Sequence, residues 1–279
     1  MRTPLRGALS TPETKALYVR RLFHTIADRY DLITRLLSFD RDRKWKLRLV
    51  ALAEARPGTT ALDLACGTGD IAFELADRGA RVVGLDLTHR MLELAQVRNT
   101  RANRVRFVTG DMLALPFPDA SVDLVTTGYG IRNVPRIEPA IAEIRRVLRP
   151  GGLLLSLDFD RPANPLVRAV YLSYLTVVGS MVGWALHGDP DTYRYIPETI
   201  RRYPGAAAVA AMLNRDGFAA ARVVPVLGGL MAIIVASRTA NRSTRCEVRS
   251  ADGSRRRPAE DTERDRDGAD SARGAARSY

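Results

Sequence analysis

The sequence predicts an α/β fold whose mostly parallel sheet finishes in an antiparallel pair. Three observations carry that expectation. Between Thr60 and Asp158, short apolar runs alternate with amphipathic stretches of helical length, the pattern of successive βαβ units. Each apolar run ends in a glycine or a polar turn residue. Late in the chain, Arg222 to Val226 and Leu230 to Ala236 flank Gly228-Gly229, which reads as a closing hairpin.

A chain of 279 residues with 46% hydrophobic content buries one full core more readily than two. We expect a helical cap over residues 1–46, a main domain over 47–237 with a lid insert at about 161–205, and a disordered Arg-rich tail over 238–279. That tail holds 11 Arg against 8 acidic residues. Most of the net charge of +12 therefore belongs to the folded part. Positive charge promotes encounter with anionic surfaces without specifying chemistry, and no nucleic-acid binding is expected. Cys66 and Cys246 stand in segments of different character, and His24, His89 and His187 lack ligand spacing, so neither a disulfide framework nor a metal site is expected. The first residues, MRTPLRGALSTPETK, lack the apolar run of a secretory signal, which points to a cytoplasmic setting.

The candidate strands are Thr60 to Leu64, Arg81 to Leu85, Val105 to Val108, Val122 to Thr126 and Leu153 to Leu157. Ligands of such sheets sit at the carboxyl ends of the strands, so the turn residues after each run converge on one site. A helix from Ile137 to Arg149 places Ile137, Ile141, Ile144 and Leu148 on one face, with Pro150-Gly151-Gly152 as its stop signal. Ala169 to Leu186 is an 18-residue run without a charge. It is borderline for a bilayer span, and we expect a buried lid helix lining an apolar tunnel.

The string Leu62-Asp63-Leu64-Ala65-Cys66-Gly67-Thr68-Gly69-Asp70 joins the first strand to a helix. Its glycines let backbone amides approach a ligand closely. Asp63 stands four residues ahead of Gly67, and only two close glycines follow, unlike the three of a dinucleotide fingerprint. The loop resembles that of methyltransferases that use S-adenosylmethionine. Asp86, 23 residues after Asp63, is placed to accept hydrogen bonds from both ribose hydroxyls of the donor; a helix cap is the plainer alternative. Asp111 suits the adenine amino group, Met112 the ring face, and Thr68 the ribose or the methionine part. A loop aspartate and a small turn residue are the corresponding structural readings.

Beyond the loop, four stretches resemble the ubiquinone and menaquinone biosynthesis C-methyltransferases. They are Tyr30-Asp31 through Ser38 to Trp45; Leu115-Pro116-Phe117-Pro118-Asp119; Tyr129-Gly130-Ile131-Arg132-Asn133-Val134; and Arg146-Val147-Leu148-Arg149-Pro150-Gly151-Gly152. Tyr193 to Ile200, with Tyr203-Pro204, is similar to a further block of that family. The resemblance implies a Rossmann-like class I methyltransferase domain, S-adenosylmethionine as donor and a polyprenyl quinol as acceptor. The chain departs from the family's signatures at Ile33, Thr34 and Asp42 (Met, Asn and His expected), at Gly128 (Ser expected) and at Asp158 and Asp160 (Glu and Ser expected).

Methylating a quinol carbon needs electron push from a phenolate oxygen and loss of a proton, so a cation near that oxygen is useful. Arg132 is the candidate for anion stabilisation or water-mediated proton removal, and Asn133 for orientation. Tyr30, Tyr193 and Tyr195 are candidates to line the acceptor pocket. A lipophilic quinol partner implies peripheral contact with an anionic membrane face, and a homodimer stays open. Three other readings remain at this point: methylation of another small aromatic or lipid acceptor, a nicotinamide oxidoreductase, and a donor-binding or interaction protein without turnover.

Overall fold

In the computed structural model, residues 5–240 are described. The tail expected from 238 lies, from residue 241 onward, outside the described residues, as does Cys246. Four helices precede the sheet: α1 (Leu5–Ala8), α2 (Pro12–Ile26), α3 (Tyr30–Ser38) and α4 (Asp42–Leu52). Thr11 caps α2, and its side chain accepts from Thr14 N–H while Thr14 returns a bond to the cap, so two end donors are satisfied together. Helix α4 runs through residues 46 and 47 without a break.

Then β1 (Thr60–Leu64), α5 (Asp70–Asp77), β2 (Arg81–Asp86), α6 (His89–Arg98), β3 (Val105–Thr109), β4 (Val122–Gly128), α7 (Ile137–Val147) and β5 (Leu148–Phe159) alternate as expected. The lid helices α8 (Pro165–His187) and α9 (Asp191–Arg202) follow, then α10 (Ala206–Arg215), β6 (Phe218–Val226) and β7 (Met231–Arg238). The sheet order is β3-β2-β1-β4-β5-β7-β6, parallel except where β7 pairs with β5 and β6. The order reverses between β1 and β4, and the crevice outside their carboxyl ends is where such folds bind ligands.

Alternation along the strands feeds two cores. Leu62, Leu64 and Val125 face α7 and α10, packing with Ile141, Ile144, Val209 and Leu213. Ala61, Leu124 and Leu155 face α4 and α5, packing with Leu49, Val50, Ile71 and Leu75. A sheet covered on both faces is the usual state of parallel strands.

Three details differ from the sequence reading. Helix α7 stops at Val147, because Leu148 pairs with Val122 as the first residue of β5, and Pro150 disfavours helix at the preceding residue. Pro150-Gly151-Gly152 thus lies inside a strand, at a register shift against β4. Arg238 belongs to the sheet: it ends β7 and its guanidinium donates to the carbonyls of Arg146 and Leu148.

The third concerns α8. The expected buried lid is buried over only 22% of its apolar window. Leu172, Leu175, Gly179 and Gly183 pack inward, whereas Val170, Val177, Met181 and Trp184 stand exposed. The glycines explain the seating. A Cβ on Gly183 would lie 2.6 Å from the Asp189 carbonyl oxygen, and one on Gly179 3.1 Å from that of Tyr193. The run is apolar all round: one side meets the backbone between Asp189 and Tyr193, and the other is exposed among the described residues.

Candidate active site

The loop after β1 is built by left-handed backbone at Ala65, Gly67 and Gly69. Gly69 opens α5, and a Cβ there would press to 2.9 Å from the Phe73 ring. Cys66 N–H donates to the Leu85 carbonyl, and Gly67 N–H donates to Asp86 Oδ2 at 2.9 Å. Asp86 Oδ1 accepts from Thr88 N–H at 2.8 Å. Asp86 therefore closes the turn that leads into α6 and pins the glycine loop at once, and it lines a groove of about 110 Å³. Burial raises its pKa, while the N–H bonds from Thr88 and Gly67 pull the other way.

Gly67, Asp86, Asp111, Met112 and Asn133 line that groove together. Asp111 Oδ1 accepts from Leu113 N–H, a local turn bond. Gly128, where the family signature has Ser, lies in the wall, and a Cβ there would meet only the end of Ile71. Helix α2 covers the groove through Ala16, Val19, Arg20 and Phe23.

Asp63 and Thr68 lie deeper, around a small cavity of about 20 Å³ shared with Gly67, Tyr30 and Tyr129. Asp63 is fully buried; Oδ1 accepts from the Thr126 hydroxyl at 2.7 Å, and Oδ2 has no hydrogen-bond partner among the described residues. Burial pushes its pKa to about 7, against the Thr126 bond and the charge of Lys46. The Thr68 hydroxyl donates to Asp31 at 2.7 Å and so tethers the loop to α3.

A second cavity, about 540 Å³, opens beside the groove and is lined chiefly by apolar and aromatic side chains. Arg132, Asn133, Tyr30, Tyr193 and Tyr195 are all in its wall. Arg132 is not a free cation. Its Nε donates to Asp158 Oδ1 at 3.0 Å, its backbone N–H to Asp158 Oδ2 at 3.0 Å, and its Nη1 to Thr199. The guanidinium also sits 5.1 Å from the centre of the Phe159 ring. Asn133 donates to the Tyr129 carbonyl and accepts from the Tyr195 hydroxyl. The signature departures thus have structural partners: Asp158 holds Arg132, and Asp160 accepts from Ala206 N–H at the start of α10.

Tyr129 is the residue that the motif reading passed over. It lines the groove, the apolar cavity and the small cavity alike. Its backbone is left-handed at φ 61°, a conformation that costs a non-glycine residue about 1–3 kcal/mol and clusters at functional sites. Bonds from its N–H to Leu157 and from Asn133 to its carbonyl hold it there. Its hydroxyl donates to Asp42 Oδ1 at 2.5 Å, and Asp42 Oδ2 pairs with Lys46 at 2.5 Å. Lys46 continues to Asp70 at 2.9 Å, Asp70 to Arg98, and Arg98 to Asp31. Burial alone would lower the Lys46 pKa, but Asp42 and Asp70 outweigh it and hold the ammonium above the usual lysine range. Lys15 was also missed. Its ammonium donates to the carbonyls of Arg132 and Val134, and burial lowers its pKa to about 8. No spacing rule could have found these pairs, since Tyr129 and Asp42 are 87 positions apart.

Comparison with known proteins adds the remaining observation. The profile of the ubiE/COQ5 methyltransferase family matches residues 11–238. The chain belongs to that family. It is 43% identical over 200 residues to a demethylmenaquinone methyltransferase of Thermus thermophilus, covering 71% of this chain and 91% of the relative. A ubiquinone/menaquinone biosynthesis C-methyltransferase UbiE of Paracoccus denitrificans is 42% identical over 209 residues, covering 73% and 84%. Among solved structures, a SAM-dependent methyltransferase of Thermotoga maritima aligns over 79% of this chain and all of its own, at TM-score 0.59 and 19% identity. One from Aquifex aeolicus aligns over 69% and 88%, at TM-score 0.50 and 17% identity. These two carry the fold alone.

This ubiE/COQ5 family member is an S-adenosylmethionine-dependent C-methyltransferase of quinone biosynthesis acting on a lipophilic quinol. The residues present fit the donor: a buried carboxylate oxygen without a partner, Asp63 Oδ2, suits an ammonium, and Asp86 has lone pairs left beside the groove. When bound, the donor supplies an activated methyl on a sulfonium, so the protein's work is alignment, exclusion of water and handling of the acceptor's proton.

Proposed function

We propose that the acceptor is demethylmenaquinol, held in the 540 Å³ cavity with its ring against Tyr129 and its isoprenoid chain leaving between α3 and α8. The single observation that supports this is the apolar, aromatic-lined cavity sharing the Tyr129 wall with the donor groove. Asp86, Asp111, Met112 and Gly67 hold the nucleoside end of the donor, Asp63 and the Thr68 loop its methionine end, and Gly69 shapes the turn. Arg132 stabilises phenolate charge within its pair with Asp158, and Asn133 orients Tyr129 and Tyr195. The cap, the methyltransferase domain and the lid at about 161–205 act as one unit around this site. The benzoquinol precursor of ubiquinone is the second reading, supported by the name of the Paracoccus relative.

The experiment is methyl transfer from labelled donor to each reduced quinol. Faster turnover of demethylmenaquinol is expected; transfer to the benzoquinol alone sinks this choice. Asp86→Ala should weaken donor binding by about 10–100-fold, the worth of one charge-assisted bond, measured by calorimetry with S-adenosylhomocysteine.

Peripheral membrane contact at the inner face, in a cytoplasmic enzyme, follows from the same reading. Phe39 (73% exposed), Tyr174 and Leu227 line the cavity and are exposed at its mouth, and Leu36, Met181 and Trp184 are exposed on the helices α3 and α8 beside it. Arg41 joins the lining, which suits anionic lipid. Sedimentation with anionic vesicles should fall as salt rises, and Phe39→Asp should reduce it further; equal partition at every salt level contradicts the electrostatic part.

A further inference from the structure

Replacing a ring hydrogen by methyl releases one proton per turnover, and the apolar cavity contains little to receive it. Arg132 is a donor-only group locked to Asp158, and both ends of the Asn133 amide are engaged. One wall of the cavity differs. Tyr129 lines both ligand compartments, and its hydroxyl donates to Asp42. Asp42 is buried, yet it borders a polar cleft of about 590 Å³ with Lys46, Asp70, Arg43 and Arg98, and the Asp70 and Arg98 side chains there reach solvent.

We propose that Tyr129 and Asp42 form the proton exit for the acceptor, with Lys46 as the positioning residue. Resting on the quinol reading above, it names the base of that reaction. The quinol O–H bond breaks with its electron pair left on oxygen, and Tyr129 Oη takes that proton as its own passes to Asp42 Oδ1. The ring carbon then bonds to the methyl, the electron pair of the broken S–C bond staying on sulfur. The ring C–H proton lost as aromaticity returns restores the quinol O–H through water, and the proton on Asp42 leaves by the cleft. Tyr129 conducts and Asp42 accepts. Burial and the neighbouring Asp42 hold the Tyr129 phenol well above its ordinary pKa, so it stays protonated between turnovers. Lys46, fixed to both Asp42 and Asp70, keeps Asp42 aimed.

The test uses the full chain with demethylmenaquinol, comparing the parent with Tyr129→Phe, Asp42→Asn and Asp42→His. General-base contributions run at about 10²–10⁴-fold, so Tyr129→Phe and Asp42→Asn should each lower kcat about 100-fold or more. Affinity for S-adenosylhomocysteine should stay within about threefold, since neither side chain bonds the glycine loop. Asp42→His supplies a different proton acceptor and should restore kcat to within about tenfold of the parent at alkaline pH. Its kcat should then fall on acidification, with a limb at or below the imidazole range that the parent lacks. The titratable groups facing position 42 are Lys46, Asp70, Tyr30 and Tyr129, and the Lys46 ammonium sets the limb low. A purely structural role for Asp42 predicts no such limb. Turnover of Tyr129→Phe within about threefold of the parent, or a limb-free Asp42→His profile, overturns the relay. A parent that methylates neither quinol overturns the acceptor reading and the relay with it, whereas equally active parent and variants overturn the relay alone.

Discussion

Asp63→Asn isolates one buried charge. Burial raises the Asp63 carboxyl from 3.8 to about 7, a shift of roughly 3 units worth about 4 kcal/mol at 1.36 kcal/mol per unit. The native state holds this proton more tightly than the unfolded chain does. The group's stabilisation is therefore fully present below about pH 4 and is lost as pH rises through about 7. About 3 kcal/mol of that loss falls between pH 5 and pH 8 by the same relation. Asparagine keeps the Thr126 bond and cannot titrate. The unfolding free energy of parent minus variant, from urea curves followed by tryptophan fluorescence at fixed ionic strength, should fall by about 3 kcal/mol across that range. The ionised carboxylate that weakens the free enzyme is the form that receives the donor's ammonium, so affinity of the parent for S-adenosylhomocysteine should rise about tenfold from pH 6 to pH 8. A parent-minus-variant curve flat with pH, or equal affinity slopes in both proteins, refutes this account of Asp63.

Two further expectations follow from buried contacts. Arg132→Ala strands Asp158 without its partner and should cost about 3–5 kcal/mol of stability, read as a fall in Tm of roughly 10 °C. The double variant Arg132→Met with Asp158→Asn should recover much of that stability while turnover stays low; recovery of turnover as well removes Arg132 from the chemistry. Gly183→Ala drives a methyl to 2.6 Å from the Asp189 carbonyl oxygen and should cost about 1–3 kcal/mol by overpacking, with a raised acceptor KM. An unchanged Tm contradicts the close α8–α9 seam.

What the sequence made readable was local. The strand runs and the turn residues after them specify β1 to β5, and the donor loop is legible because Asp63, Gly67, Gly69 and Asp86 stand at fixed spacings along consecutive units. Pairings across the chain were not readable. Leu148 looks helical by period but is claimed by Val122 on a neighbouring strand. An ion pair is one reading of Arg132, but its partner Asp158, 26 residues away, shows only in the fold. Of the two readings of Asp86, ribose ligand or helix cap, the cap is not formed: the carboxylate bonds Thr88 N–H in the turn before α6 and lines the groove. The uncharged run in α8 carries no period to reveal which side is covered, because its exposed side is as apolar as the side that Leu172, Leu175, Gly179 and Gly183 turn inward.

Lys15 has a consequence for traffic through the enzyme. The ammonium ties α2 to the carbonyls of Arg132 and Val134, and α2 roofs the donor groove with Ala16, Val19 and Arg20 while walling the acceptor cavity with Leu22 and Ile26. Phe23 touches both. One helix is thus the door of two rooms, and the latch is fastened to the partition between them. A displacement of α2 would uncover both compartments together and would have to break the two Lys15 bonds.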